Sequence, residues 1–547
     1  MAKVLLVIPP LPERSYPGKF MGPDYLASAL LRKGHNVKII DLDVILMNIQ
    51  DNNLPEDILI NQYIDILKDY TPDVIGITNL SLQNDIANFF AYLSKKVLKD
   101  TIIIKGGVHE TVGWRYTLEL HHNYVDACVI GEGENVIVEI AEACERKKWD
   151  EKKVEIKGLA YWDGQKAVFN GPSSPVDINE IIPERLNFSS RYNFDVFNYK
   201  KTAQMMTMRG CPFNCNFCSE SFLFKCENIT TMKGIRMRNL ESLEKELKKL
   251  KTEGYEAIYF DDSTFTIGGK KRVSDISQKL KEKGFIWGCN TRVDAISDEM
   301  IKEMKEAGCV YIFCGVESFV PEILLGINKT KNPKKYLSNV EEIYDSFNKN
   351  SISNNVFLIF GLLRKEGENY YVPEKWEDIE YCLEKALKLN SDYLSFNILR
   401  LLPGVPFSTC PEYEKVRPTG KNPVHAGHYD LKWYMLTSEK DLRSRHPIYR
   451  CFEGCGSVNS VFATPEYAYK IITKAIKLVN EKNKREKSDS QTRIVIDPKA
   501  KEFVSEKQIN GKIQYEIKKF AEIEPEVKKI KILEYWEKII KGKEYAY

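Results

Sequence analysis

Arg209-Gly-Cys-Pro-Phe-Asn-Cys-Asn-Phe-Cys218 sets three cysteines, Cys211, Cys215 and Cys218, in one short loop. The C-x3-C-x2-C spacing offers three thiolates, one fewer than the four that usually hold a cubane iron–sulfur cluster. A fourth iron would then lack a protein ligand and stay open to a small molecule. Catalytic metal sites keep such a position, whereas structural ones are closed. A zinc knuckle or three buried free thiols compete for the triplet taken alone, because zinc also uses closely spaced cysteines. The residues around the loop have to decide.

Downstream, strands and helices alternate. Residues 203–208 form the strand entering the loop, and Leu240, Leu243, Leu247 and Leu250 mark an amphipathic helix. Further strands are expected at 257–260, 285–288, 310–313, 356–360 and 393–396. Polar stations follow them: Asp261-Asp262-Ser263, then Asn290-Thr-Arg292-Val-Asp294, Gly315-Val-Glu317-Ser318, Gly361-Leu362 and Leu402-Pro-Gly-Val-Pro406. Any one could be a turn or a cap, as Asp262 or Ser318 could be. Five in order at the strand ends form a pattern.

Upstream, apolar runs at 4–8, 37–40, 74–77, 101–104 and 127–130 alternate with helical segments, which implies a doubly wound parallel sheet with ligand at the carboxyl ends of its strands. Two turns there are glycine-rich, Gly106-Gly107-Val-His109 and Gly131-Glu132-Gly133-Glu134. Glycine lets backbone approach a ligand closely. Between the two regions, 158–168 reads as a hairpin around Asp163-Gly164 in a structured connector.

The chain has 547 residues, a formal net charge of +3, 43% hydrophobic and 29% charged residues. That is globular composition with no electrostatic case for nucleic acid. No run of 18 apolar residues is present, so no membrane span is expected. The start reads as a strand rather than a signal peptide. Thirteen scattered cysteines suit a reducing cytoplasm, and an exposed cluster would call for low oxygen.

With its flanking Arg209, Gly210 and Phe217, the cysteine loop resembles the cluster motif of the radical S-adenosylmethionine (SAM) enzymes. The five stations come in that family's order. The Pro9-Pro10 loop, the helix ending Arg32-Lys-Gly-His35 and the two glycine turns resemble the cobalamin-binding domain that precedes many such barrels. The resemblance implies an α/β protein with a Rossmann-like cobalamin-binding domain (1–145), a linker with hairpin (146–198), a partial (β/α)6 radical SAM barrel (199–410) and a mixed α/β C-terminal region (411–547) covering the barrel mouth. It implies a 4Fe-4S cluster on Cys211, Cys215 and Cys218. SAM would be held by Asp261, Asp262, Arg292, Glu317 and Ser318, and cobalamin would lie near Ser81, Gln83, Gly106, Gly107, Gly131, Glu132 and Gly133. No Asp-x-His-x-x-Gly segment occurs, so the corrinoid is expected base-off, with no histidine below cobalt and the 79–83 loop facing its lower side. His35 is expected to end its helix as a cation complementing the dipole.

The activity implied is methylation of an unactivated carbon in a small-molecule or peptide-derived substrate. One SAM would supply the methyl group through cobalamin and another a 5′-deoxyadenosyl radical, with electrons from a reductant such as a flavodoxin or ferredoxin. A cobalamin-containing cyclase, ring-contraction or rearrangement enzyme has the same motifs. A methylthiotransferase would need three more cluster cysteines in the first domain, which has only Cys128 and Cys144. A sensor with a structural cluster is the non-enzyme alternative. After Pro406 the resemblance fades. There, His425 and His428 read as surface residues and Trp433, Tyr434 and Met435 as local core, while Cys451 and Cys455 read as buried free thiols, against an auxiliary cluster with Cys410 and Cys226 or a thiol that donates hydrogen to a product radical. Residues 481–490 read as a solvated link, and Tyr535, Trp536, Ile539 and Ile540 as a short helix. Substrate identity and oligomeric state leave no trace in the sequence.

Overall fold

The computed structural model describes residues 1–10, 20–52, 54–55, 57–80, 83–223, 234–367, 371–399, 405, 465–487, 490–495 and 504–519. Ser81, Cys226, Cys410, Cys451, Cys455, His425, His428, the 433–435 aromatics and the 535–540 segment lie outside the described residues.

The first sheet holds β1 (Lys3–Ile8), β2 (Asn36–Asp41), β3 (Val74–Thr78), β4 (Ile102–Gly106) and β5 (Ala127–Val129), in the parallel order β2-β1-β3-β4-β5. β1 is apolar nearly throughout because helices cover both faces, and Val4, Leu6 and Ile8 face a different core from Leu5 and Val7. Asp41 caps the helix Leu42–Asp51 by accepting from the backbone N–H groups of Asp43 and Val44 at 3.0 and 3.1 Å. The hairpin of the connector is not a separate unit. Its strands β6 (Leu159–Trp162) and β7 (Ala167–Phe169) add antiparallel to β5 and complete a seven-stranded sheet.

His35, just past the end of the helix Gly22–Arg32, is buried, and its Nδ1 accepts a hydrogen bond from the Ala2 N–H at 3.3 Å.

The second sheet starts with β8 (Thr202–Met205). The cluster loop leaves it through β9 (Met208–Arg209), which pairs antiparallel with β10 (Arg236–Met237). Then come β11 (Ala257–Phe260), β12 (Ile286–Thr291), β13 (Cys309–Glu317) and β14 (Ser353–Phe360). A small ladder of β15 (Leu363–Lys365) and β16 (Tyr371–Pro373) precedes β17 (Tyr393–Ile398). The six long strands are parallel in sequence order, as a partial barrel requires. A seventh, β18 (Arg493–Ile494), pairs parallel with β17 and comes from the C-terminal region.

The connector also serves the barrel. Its Phe194 and Phe197 pack with Ala257, Tyr259 and Tyr311, which come from β11 and β13. The link expected at 481–490 is overturned in its first half: the helix Pro465–Arg485 runs through it. Asn483 there is fully buried, bonding the Thr492 and Ile513 carbonyls at 3.1 Å. The charged residues around Asn483 hid a turn whose inner side is satisfied by side-chain amide bonds. A hairpin of β19 (Val504–Ile509) and β20 (Lys512–Ile517) packs on this helix. No helix among the described residues is long and apolar enough to cross a membrane.

Candidate active site

The carboxyl ends of the two sheets meet around a cavity of about 340 Å³. The first sheet contributes Gly76 to Thr78 from β3, Gly106 and Gly107 after β4, and Gly131 to Glu134 after β5. The second contributes Met206, Met208, Arg209 and Gly210 from the entry to the cluster loop, Glu220 and Leu223 beyond it, and Asp261 to Ser263 after β11. Of the residues expected to hold cofactors, Asp261, Asp262, Gly106, Gly107, Gly131, Glu132 and Gly133 are therefore brought to one wall system.

The first-sheet side suits a broad, flat ligand. Glycines keep its backbone bare, and Gly107 is fixed at φ 103°. A Cβ there would stand 3.0 Å from the Asn79 carbonyl oxygen, so the turn closes against the loop after β3. That loop is held by hydrogen bonds from the Asn79 N–H to Gly106 O at 2.8 Å and from the His109 N–H to Asn79 O at 3.1 Å. Gln83, expected at the ligand, is instead fully buried; it donates to Pro9 O at 2.7 Å and accepts from the Leu80 N–H at 3.3 Å. His35, His109, His121 and His122 are absent from the cavity lining.

On the other side, Cys215 is buried, and Cys211 and Cys218 are half-buried. Burial pushes the Cys218 thiol up to about 12 and raises Cys211 as well, and each feels the ionisation of its neighbours. Thiols raised in this way, as Cys211 and Cys218 are, stay ionised in one loop only around positive metal. Among the described residues no three His, Cys, Asp or Glu side chains gather as ligands of a single ion. Soft thiols from one loop suit a cluster whose irons each take one sulfur.

Asp262 braces the strand into the loop: it accepts from the Thr207 N–H at 2.8 Å, the Thr207 hydroxyl at 2.9 Å and the Met208 N–H at 2.9 Å. Burial still raises its carboxyl to about 6. Asp261, open to the cavity, is lifted further, to about 7, by desolvation at the cavity wall and then by Asp262 and Glu220. Glu220, raised by burial, was not singled out in the sequence, although it stands two residues past the last cysteine. Three carboxyls on one edge make an environment for a cationic ligand group.

Arg292, Glu317 and Ser318 do not line the cavity. Arg292 lies behind the cysteines: Nη1 donates to Cys215 Sγ at 3.4 Å, the fork grips Asp294 at 2.8 Å twice, and the plane stacks 3.7 Å from the Phe213 ring centroid. Glu317 holds a left-handed φ of 67° at the end of β13, pairs with the buried Lys329 at 2.9 Å and leaves Oε2 buried and unpartnered. Backbone strain and a bare acceptor thus fall on one residue. Lys329 carried no sequence signal, since nothing local distinguishes a buried lysine. Ser318 is in the core, where its hydroxyl meets Cys382 Sγ at 3.3 Å and accepts from the Val320 N–H at 3.2 Å.

Comparison with known proteins matches this division. Residues 205–371 fit the radical SAM superfamily model and residues 14–141 the B12 binding domain model. An uncharacterized methyltransferase of Pyrococcus horikoshii is 32% identical over 74% of this chain and 81% of its own length. The anaerobic magnesium-protoporphyrin IX monomethyl ester cyclase of Cereibacter sphaeroides is 28% identical over 46% of this chain and 41% of its length. The fold is shared with TsrM, a radical SAM methyltransferase of Kitasatospora setae solved with cobalamin and a 4Fe-4S cluster bound, at TM-score 0.59 and 18% identity over 77% of this chain and 81% of that one. With the cysteine loop, the glycine-walled cavity and these likenesses in agreement, the chain belongs to the radical SAM enzymes that carry an N-terminal cobalamin-binding domain.

Proposed function

We propose that the protein is a cobalamin-dependent radical SAM methyltransferase acting on an unactivated carbon of a small-molecule or peptide-derived substrate. The observation that carries this reading is a cavity walled by the strand ends of both sheets. A methyl carrier and a radical source must reach one substrate carbon, and a common space at the strand ends permits that. When bound, the cluster delivers an electron that cleaves SAM, and the corrinoid relays a methyl group.

The chain's own residues bind and orient. Cys211, Cys215 and Cys218 hold the cluster, and Arg292 lends a hydrogen bond to the Cys215 sulfur. Asp261, with Glu220 beside it, takes the cationic end of SAM, while Asp262 keeps the loop at its station. The backbone at Gly106, Gly107, Gly131 and Gly133 lies against the corrinoid, and apolar neighbours such as Leu6, Ile104 and Val129 exclude water. A small reductant of flavodoxin or ferredoxin type supplies electrons in the cytoplasm.

Cyclisation is the second reading, favoured by the likeness to the Cereibacter sphaeroides cyclase. Anaerobic turnover of the reconstituted enzyme with SAM, reductant and cobalamin separates the two. Cobalamin-dependent S-adenosylhomocysteine together with 5′-deoxyadenosine is expected for methyl transfer. Deoxyadenosine alone, with substrate present, would replace it by cyclisation or rearrangement.

A further inference from the structure

Gly131-Glu-Gly-Glu134 and Arg209-Gly-Cys211 stand in different domains, yet in the fold they form one ion-paired unit. Arg209 Nη1 donates to Glu132 Oε1 at 2.6 Å and Nη2 to Glu134 Oε1 at 2.6 Å, so one guanidinium grips both carboxylates of the turn. The three side chains are 13%, 7% and 5% exposed. Arg236, cross-strand partner of Arg209 between β9 and β10, binds the same Glu132 oxygen and donates to Val176 O at 2.8 Å. The Val176 N–H returns a bond to Glu132 Oε2 at 3.0 Å. The Tyr25 ring, itself in the cavity wall, lies 4.9 Å from the Arg209 guanidinium.

Two cations meet two anions, so the quartet is balanced and its carboxylates are engaged by the protein. Glu134 is also the first residue of the helix Glu134–Glu145, where a carboxylate complements the helix dipole. The next link is stiff. Gly210 sits at φ 92°, and a Cβ there would lie 2.7 Å from the Gly234 carbonyl oxygen, leaving no slack between Arg209 and Cys211.

We propose that this quartet is a positioning clamp: it locks the corrinoid-side turn to the strand entering the cluster loop and so fixes the separation of the two bound groups. The proposal rests on the cobalamin-dependent reading above. Arg209 touches no reacting atom; it acts through Cys211 on one side and through the Glu132–Glu134 turn on the other. A bidentate fork is the right device, since it fixes orientation as well as distance.

The test uses the full chain loaded with cluster and cobalamin, comparing Arg209→Gln, Glu134→Gln and the conservative Arg209→Lys. Pulsed paramagnetic resonance of the reduced cluster and cobalt(II) reads their spin–spin coupling without any turnover. Wild type should give one narrow coupling. Arg209→Gln should broaden or shift it while iron and cobalamin contents hold, with Arg209→Lys in between. S-adenosylhomocysteine formation should fall about 100-fold, the order expected for a misplacement near 1 Å, with 5′-deoxyadenosine formation changed less than about threefold. Should Arg209→Gln fail to load, the isosteric Glu134→Gln carries the same readouts. An unchanged coupling in a loaded variant, or equal loss of both products, would overturn the clamp. Wild type that forms no S-adenosylhomocysteine would overturn the methyltransferase reading instead, and the coupling would still judge the clamp.

Discussion

Glu110→Gln should loosen the corrinoid-side domain by about 3 kcal/mol at neutral pH. Lys105 and Glu110 are paired at 2.8 Å with neither side chain exposed at all. The ammonium also donates to Asn84 Oδ1 at 3.0 Å and Asn88 Oδ1 at 2.6 Å, which uses its three hydrogens. Glu110 Oε1 accepts in addition from Asn79 Nδ2 at 2.6 Å. Burial by itself would raise this carboxyl, but the Lys105 ammonium, then His109, hold it down at about 2 against an ordinary 4.5. At roughly 1.4 kcal/mol per pKa unit, that depression corresponds to about 3 kcal/mol. Breaking one side of a buried pair costs a similar amount, about 3–5 kcal/mol, by an independent route. The sign follows from a depressed acid: the stabilisation is fully present above about pH 4.5 and is lost as pH falls through about 2. Gln removes it at every pH.

Hydrogen exchange on the full chain at pH 7 reads the effect locally. Amides of β3, β4 and the helix Val108–His121 should lose protection by about 100-fold, with β11 to β14 unchanged. Corrinoid affinity should drop with it, because Asn79 braces the Gly107 turn. Lys105→Met combined with Glu110→Gln should regain much of the loss, since no lone charge stays buried. Equal exchange in Glu110→Gln, or a double variant as weak as the two losses added, would refute the reasoning.

Cys215→Ala should abolish SAM cleavage and lower bound iron; retention of both in a reconstituted sample would remove the cluster assignment. Gly107→Ala forces a side chain to φ 103° and 3.0 Å from a carbonyl oxygen, so it should destabilise by about 1–3 kcal/mol and weaken cobalamin binding by tenfold or more on titration. Asp261, raised to about 7 by desolvation at the cavity wall and by its acidic neighbours, makes folded stability fall as pH rises from about 4 to about 7, because the unfolded chain gives up that proton first. SAM binding should therefore strengthen between pH 6 and 8 with proton release in calorimetry, and Asp261→Asn should flatten the profile; a flat wild-type profile would end that role.

The strand starts were legible because runs such as 74–77 and 257–260 are apolar over the length of one buried parallel strand. The cysteine loop was legible because its chemistry is local. Pairings were not. The 158–168 hairpin announced itself through Asp163-Gly164, but nothing in it says that β6 will join β5 of the preceding domain. Glu132 lines the cavity in its glycine-rich turn, but its bonds to Arg209 and Arg236, far along the chain, leave no local signal. Ser318 was placed at the SAM site by order along the chain, yet the register shift between Gly315 and Glu317 accompanies its turn toward Cys382. Long-range polar partners carry no periodicity, and that is why they escaped.

β18 gives the barrel a distinctive order of assembly. During synthesis the cobalamin-side sheet has every strand it needs once residue 169 has emerged, whereas β17 keeps an open edge until Ile494 follows about a hundred residues later. An open edge invites pairing with other chains. The ribosome-bound chain thus carries a finished first sheet and an unsealed second one while the cysteine loop is already outside.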